Sequence, residues 1–462
     1  MAGPGGGPPR RSHTKSRKGC VTCNNCTKHK IRCPYRDIQV PDAGRMPTPD
    51  KPDLMWTPDI ERAISDWQRT GMFPFDDLRV YPTPEAHLYS VEELRLIYHA
   101  AAVYVQLAAM DANNFTVWTR HIPVLLRIGA THRYVMHALL AFSAMHIAYL
   151  TDCPLVARMA LKHRGIALRG LQAAISSFSR ETSDAILAAS LVLSWQATDW
   201  QSWTQLMQGT LTVIKSMAAW QHESEFIDFI AETETITELP AFSNPEHRPL
   251  QPGPQDLESY REALEQILLL KEHLKQHSIE GTQVNSLVSF LKDIRKRPML
   301  SAAQQFEYLQ PLRTWLFWMP VGALQSSYES LNSLVVIAHL YTVALVMNNL
   351  FPDIGTGYFG SICLGPIEEI ARHIFSSSIA SPVQETFPTL TNLIEYPVEA
   401  VRKFRLRIGW PGRPEPMPCS PHFQPSDHLE VNQGQSYMPY GNPGFNYSSD
   451  SVSILISAGT QR

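Results

Sequence analysis

The sequence predicts an all-α chain: one large helical domain, preceded by a small cysteine cluster and flanked by disordered tails. Three observations predict it. From Ser90 to about residue 410, apolar side chains recur at the three- and four-residue spacing of helices. Two capping-box sequences, Ser90-Val91-Glu92-Glu93 and Ser301-Ala302-Ala303-Gln304, mark helix starts, where a serine hydroxyl takes a free N–H and the residue three on reaches back. No convincing period-2 strand interrupts the pattern, and no repeat of solenoid length is visible.

Residues 1–16 are rich in Gly, Pro and charge and read as a disordered basic arm. Residues 17–36 hold the cysteine cluster. Residues 37–89 carry Pro41, Pro47, Pro49 and Pro52 and read as a Pro-rich linker with one short helix at 58–69. Thr57 is its expected N-cap, Pro58 its first position, and Gly71 its stop; Ile60, Ile64 and Trp67 share one face. The main domain spans 90–410. Its first helix runs to about Met110, with Leu94, Ile97, Ala101 and Val105 on one face. Helices follow over Thr131 to Leu150, over 154–178, from Ser183-Asp184 through Trp195, and over 201–219. Five prolines between Pro240 and Pro254 predict a surface loop or a boundary between helical layers. Further helices fit Asp256 to Gln276, Ser286 to Arg295, and residues 302–319, 331–349, 366–376 and 397–408. Residues 411–462 hold eight prolines among many polar residues and read as a disordered tail. The longest apolar run, Leu334 to Met347, falls short of the roughly 20 residues a membrane span needs. A buried core helix is expected there, and no membrane span.

Four of the seven cysteines, Cys20, Cys23, Cys26 and Cys33, lie in one short stretch with spacing C-x2-C-x2-C-x6-C. Thiolates at these separations can converge on one zinc ion, which takes four such ligands tetrahedrally. A disulfide framework is not expected in a 462-residue chain with so few cysteines and no secretory signal. Charge is just as unevenly distributed. Residues 1–36 contain nine Lys and Arg and no acidic residue, which leaves 31 basic against 43 acidic residues in the remainder. A basic arm on an acidic body fits contact with double-stranded DNA through the arm alone. Lys28, Lys30 and Arg32, assisted by Arg17 and Lys18, are the candidate phosphate contacts. Arg10, Arg11, Lys15, Arg17 and Lys18 also read as a nuclear-import patch, which places the chain in the nucleus.

The stretch resembles half of a fungal zinc binuclear cluster, a family with six cysteines around two zinc ions. Cys23-x2-Cys26-x6-Cys33 matches the second half, including Asn25 before Cys26 and Pro34 after Cys33; Lys18-Gly19-Cys20-x2-Cys23 matches the opening of the first. The basic helix that should lie between, with its closing cysteine, is absent. Cys23 serves as either the second or the fourth family ligand, and four thiolates close one zinc site at most. Two accounts fit: a short exon lost between Cys23 and Asn24, or a genuine variant with weak or no DNA affinity. The missing helix is the one that carries the base-reading lysine of the family into the major groove, so sequence-specific reading is weakened.

The helical body resembles the regulatory domain of the same family, of the sterol-uptake-regulator type. The resemblance is carried by Tyr134-Val135-Met136-His137-Ala138-Leu139-Leu140-Ala141-Phe142-Ser143-Ala144 with His146, by Trp118 and Ile122-Pro123, and by Phe404-Arg405-x-Arg407-x-Gly409-Trp410. It implies a zinc-dependent, DNA-binding regulator of transcription by RNA polymerase II in a fungus, whose helical domain binds an apolar ligand such as a sterol. It admits a homodimer, although no heptad run follows the cluster. Trp195, Trp200 and Trp203, with Trp315, Phe317 and Trp318, are candidate pocket walls; ordinary core packing is the competing reading. A second functional reading keeps the helical regulator, acting through protein partners, without DNA binding. A third, remote one is a helical enzyme, but no G-x-S-x-G, H-E-x-x-H or Walker lysine is present. His137 and His146, nine residues apart on one helix, cannot share a metal within one turn. His99 and His339 sit on apolar faces as hydrogen-bonded core residues, and Asp199 and Glu93 have no readable catalytic partner. The chain is therefore read as a non-enzyme.

Overall fold

The computed structural model describes residues 51–231, 252–279, 281–294, 301–327, 330–351, 361–380 and 387–408, with Ile354 and Phe359. The cysteine arm, residues 232–251 of the Pro-rich stretch, and everything from Gly409 onward lie outside the described residues. The chain divides into a unit ending at Pro52 and a unit starting at Asp53, and the fold below is that of the second.

Helix starts follow the capping chemistry written in the sequence. In α1 (Pro58–Thr70), Thr57 Oγ1 accepts the Ile60 N–H, and Gly71 closes the helix in the left-handed conformation at φ 75°, where a side chain would be strained. Ile64 and Trp67 are buried and Ile60 is half-buried. The box at α2 (Val91–Ala108) is complete: Ser90 Oγ accepts from Glu93 N, and Glu93 Oε2 accepts from Ser90 N. The buried Arg95 of α2 donates to the Met55 carbonyl at 3.1 Å and lies beside the Trp56 and Tyr98 rings, which fastens the linker to the body.

A helix unmarked in the sequence reading, α3 (Ile122–Thr131), follows Trp118. Then come α4 (Arg133–Thr151), α5 (Pro154–Ile175), α6 (Arg180–Trp195) and α7 (Trp200–Ser216). Helix α6 starts three residues before the expected Ser183, because Ser179 and Thr182 form the cap, with the Ser179 N–H donating to Thr182 Oγ1. Asp184 instead holds a following segment, accepting from Ser224 Oγ and the Glu225 N–H. The second half contains α8 (Pro254–Gln276), α9 (Thr282–Ile294), α10 (Ala302–Ser327), α11 (Leu331–Leu350), α12 (Leu364–Ala380) and α13 (Phe387–Ile408). Helix α10 runs through Pro311 and Pro320, and α13 through Pro397, so both outrun their expected bounds. A proline inside a helix costs roughly 3 kcal/mol, which the burial of Leu309, Leu312, Leu316, Val321 and Leu324 along α10 offsets. No strand occurs among the described residues.

Two helices act as hubs. Helix α4 packs against α2, α3, α5 and α6, and α11 against α8, α10, α12 and α13. Each is apolar on every side, as a helix must be when it has neighbours all round. Each is long and apolar enough to cross a membrane by length and composition, but 67% and 83% of their most apolar 18-residue stretches are buried in the body. At Gly170 of α5 an added Cβ would meet Tyr134 Cβ of α4 at 2.5 Å, which explains why glycine allows this close helix pair. Long-range hydrogen bonds join the halves: Trp118 Nε1 donates to the Phe317 carbonyl at 2.8 Å, and Tyr341 OH to the Phe115 carbonyl at 3.0 Å.

Candidate functional site

Cys20, Cys23, Cys26 and Cys33, with Arg17, Lys18, Lys28, Lys30 and Arg32, lie outside the described residues. Their chemistry is read from the donor set alone. Four thiolates satisfy one tetrahedral zinc ion and are too few for two.

Within the helical unit, buried aromatic rings and imidazoles gather around α4. Phe142 of α4 sits among Trp118 (5.0 Å), Trp195 of α6 (5.3 Å), and Phe317 and Trp318 of α10 (6.0 and 4.8 Å). His146, one turn on, stacks on Trp318 at 4.9 Å, and its Nδ1 lies 3.1 Å from His99 Nε2 of α2. Burial holds His146 down to about pKa 4 and His99 well below its usual value; His99 is further depressed by the neighbouring His146 and by Arg95. One ring therefore donates and the other accepts, both neutral. Nearby His121, against Trp195, is pushed to about 3, by burial first and Arg120 second.

On the opposite side of α4, His137 Nδ1 lies 3.1 Å from His163 Nδ1 of α5, and His163 Nδ1 lies 3.9 Å from Glu93 Oε1 of α2. Both imidazoles are buried, while the Glu93 side chain is 21% exposed. Burial lowers the pKa of each histidine, that of His163 to about 4. From sequence, His137 and His146 cannot share a metal within one turn of their helix. Nine residues is two and a half turns, so they face opposite ways and each finds its partner on a different neighbour. That phase was the available signal. Asp199, unassigned from sequence, is the N-cap of α7, its Oδ1 accepting from Ser202 N at 2.8 Å.

The five candidate pocket tryptophans fall at three places. Trp195 and Trp318 flank Phe142. Trp200 stacks on Trp203 at 5.4 Å, and both meet Phe306. Trp315 meets Phe290 edge-on and lines a hollow of about 710 Å³ between α9 and α10, with Tyr308, Pro311, Asp293 and Glu307. A second cleft, about 780 Å³, opens between α8, α11 and α13 and includes Leu345, Val346, Tyr396 and Phe404. The ion pairs Lys403–Glu262 and Arg407–Asp256 stand along it at 3.1 and 2.5 Å.

Residues 99–239 match the fungal specific transcription factor domain. The chain is similar to sterol uptake control protein 2 of Candida albicans, 25% identical over 158 residues that make up 30% of this chain and 21% of that protein. It is similar to sterol uptake control protein 2 of Saccharomyces cerevisiae, 26% identical over 180 residues, 32% of this chain and 19% of that one. A Zn(2)-C6 fungal-type transcription factor of Gibberella zeae is 22% identical over 300 residues, 50% of this chain and 61% of that one. The chain thus spans under two thirds of each of these relatives. No solved structure matches it. The segment from α2 to beyond α7 is thus similar to the fungal specific transcription factor domain, and the all-helical body around it is similar to part of a Zn(2)-C6 fungal-type transcription factor.

Proposed function

We propose that this chain is a nuclear regulator of transcription by RNA polymerase II in a fungus, with a DNA-contacting arm and a helical regulatory body. The observation that carries this reading is the occurrence, on one chain, of the matched domain at 99–239 and the basic four-cysteine run at 20–33. A zinc ion held by Cys20, Cys23, Cys26 and Cys33 would supply the folding energy of a segment too small to fold alone. Lys28, Lys30 and Arg32, with Arg17 and Lys18, would meet phosphates. The acidic remainder would keep the body off the duplex.

For the body we propose an apolar ligand, such as a sterol. This reading rests on two relatives named for sterol uptake control. A second reading, regulation through protein partners without DNA contact, is favoured by one observation, the missing pair of family cysteines.

Binding of the full chain to duplex DNA across a salt series separates the two. Five arm cations predict a slope of about −4 to −5 in log K against log salt, lost in Cys26→Ser. Absence of binding at low salt would leave the partner-based regulator.

A further inference from the structure

We propose that Glu93, His137 and His163 form a site for one divalent transition-metal ion, zinc by donor chemistry, which ties α2, α4 and α5 together. This site is separate from the cysteine arm and does not depend on the DNA-binding reading.

The geometry comes first. One ligand atom from each residue lies within 4.8 Å of the other two. In a tetrahedral site with bonds of about 2.0–2.1 Å, ligand atoms stand roughly 3.3 Å apart. The observed separations of 3.1 Å between the two Nδ1 atoms and 3.9 Å from His163 Nδ1 to Glu93 Oε1 bracket that edge. Two imidazoles and one carboxylate, with a fourth position open, make up a common zinc donor set.

Orientation is provided by the fold. Glu93 Oε2 is already spent on the Ser90 N–H, so the capping box fixes the carboxylate and leaves Oε1 as the atom near His163. Such a supporting hydrogen bond is what ligating carboxylates use. The two histidines lie on α4 and α5, the most extensively packed helix pair among the described residues, where Gly170 permits close approach. Burial lowers the pKa of both rings, against the raising effect of Glu93; Lys162 lowers both further, Arg133 that of His137, and His137 that of His163. Neutral imidazole is the ligating form. Glu93 is the least buried of the three residues.

The competing arrangement is a plain hydrogen bond between the two rings. It would hold α4 and α5 together but bind no ion. The test uses the full chain with Cys20, Cys23, Cys26 and Cys33 all replaced by serine, so that arm thiolates cannot contribute. After chelator treatment, cobalt(II) is titrated in and its spectrum recorded. The expected result is one cobalt per chain, with a nitrogen–oxygen spectrum lacking sulfur-to-metal charge transfer, displaced by zinc. Adding His163→Gln or Glu93→Gln is expected to weaken binding at least about tenfold, the lower range for loss of even a supporting group, with circular dichroism unchanged. Glu93→Gln keeps an acceptor for Ser90 and serves if His163→Gln does not fold. Absence of cobalt uptake by the serine variant, or uptake unaltered by Glu93→Gln, overturns the proposal.

Discussion

Helices α4 and α11 occupy equivalent positions, each the apolar centre of its half, yet they treat polar groups differently. Helix α4 carries two histidines on opposite sides, and each faces another imidazole: His137 meets His163, and His146 meets His99. Helix α11 carries one, His339, whose Nε2 donates to the Leu393 carbonyl at 2.9 Å. From Leu334 to Asn348 every residue of α11 is buried. The centre of α11 is thus organised by volume, with His339 set between the Leu393 carbonyl and the Tyr396 ring, while His273 meets Asn332 only at its first turn. The α4 half adds a seam of paired titratable rings, and it is the half that the family match covers. In a hub helix, hydropathy sets position, and the few polar insertions decide what the helix can respond to.

The comparison breaks most easily at α11. Leu340→Ala removes a fully buried side chain from a helix with neighbours on all sides. A loss of about 2–5 kcal/mol is expected, read as a lower urea midpoint at constant slope. A value under about 1 kcal/mol would mean that α11 is not held by packing.

Acid sharpens the contrast. Above the unfolded histidine pKa of about 6.5, His99, His146 and His339 are neutral folded or unfolded. Their folded pKa values are depressed, to about 4 for His146 and His339, so between those values the unfolded chain takes up protons first. Stability present above about pH 6.5 is therefore lost as pH falls toward 4, by up to about 3 kcal/mol for His146 alone. His99 and His146 form a pair, whereas His339 stands by a carbonyl. Amide exchange, corrected for its intrinsic pH dependence, is expected to show α2 and α4 losing protection before α11. Equal loss in both hubs would remove the distinction.

How much of this was legible depended on the range of the interaction. Thr57, Ser90 and Gly71 act within four residues, and the helix ends they set were readable from local chemistry. Helix α10 was expected to end at residue 319, before Pro320, and α13 to begin at Pro397, whereas burial contributed by distant segments carries the backbone through both prolines. Helix α3 is only ten residues and lacks a side-chain cap, so little marked it. The histidine partners are 26 and 47 residues apart. Helical phase separates His137 from His146, but nothing local identifies His163 or His99. The tryptophans were read as candidate pocket walls or core; Trp195, Trp203 and Trp318 are buried and Trp200 and Trp315 half-buried, and which ring each meets is set by helix packing. The cysteine arm lies outside the described residues, and its zinc reading rests on ligand type and spacing alone.

The finest distinction between the hubs lies in two hydroxyls. Ser143 of α4 donates to the Leu96 carbonyl of α2 at 2.7 Å and so clips two helices together. Thr342 of α11 donates to Ala338 O on its own helix at 2.9 Å. Leu96 lies mid-helix, where its carbonyl already accepts the i+4 amide, so Ser143→Ala leaves no orphaned acceptor and costs only the net worth of one hydrogen bond, about 1 kcal/mol. Thr342→Val keeps the shape and discards a back-bond that does little for a helix. Its effect is expected within about 0.5 kcal/mol, with either sign. Urea unfolding of the two variants side by side measures the difference. If Thr342→Val proves the costlier, α11 too depends on its polar insertions, and packing alone does not account for that half.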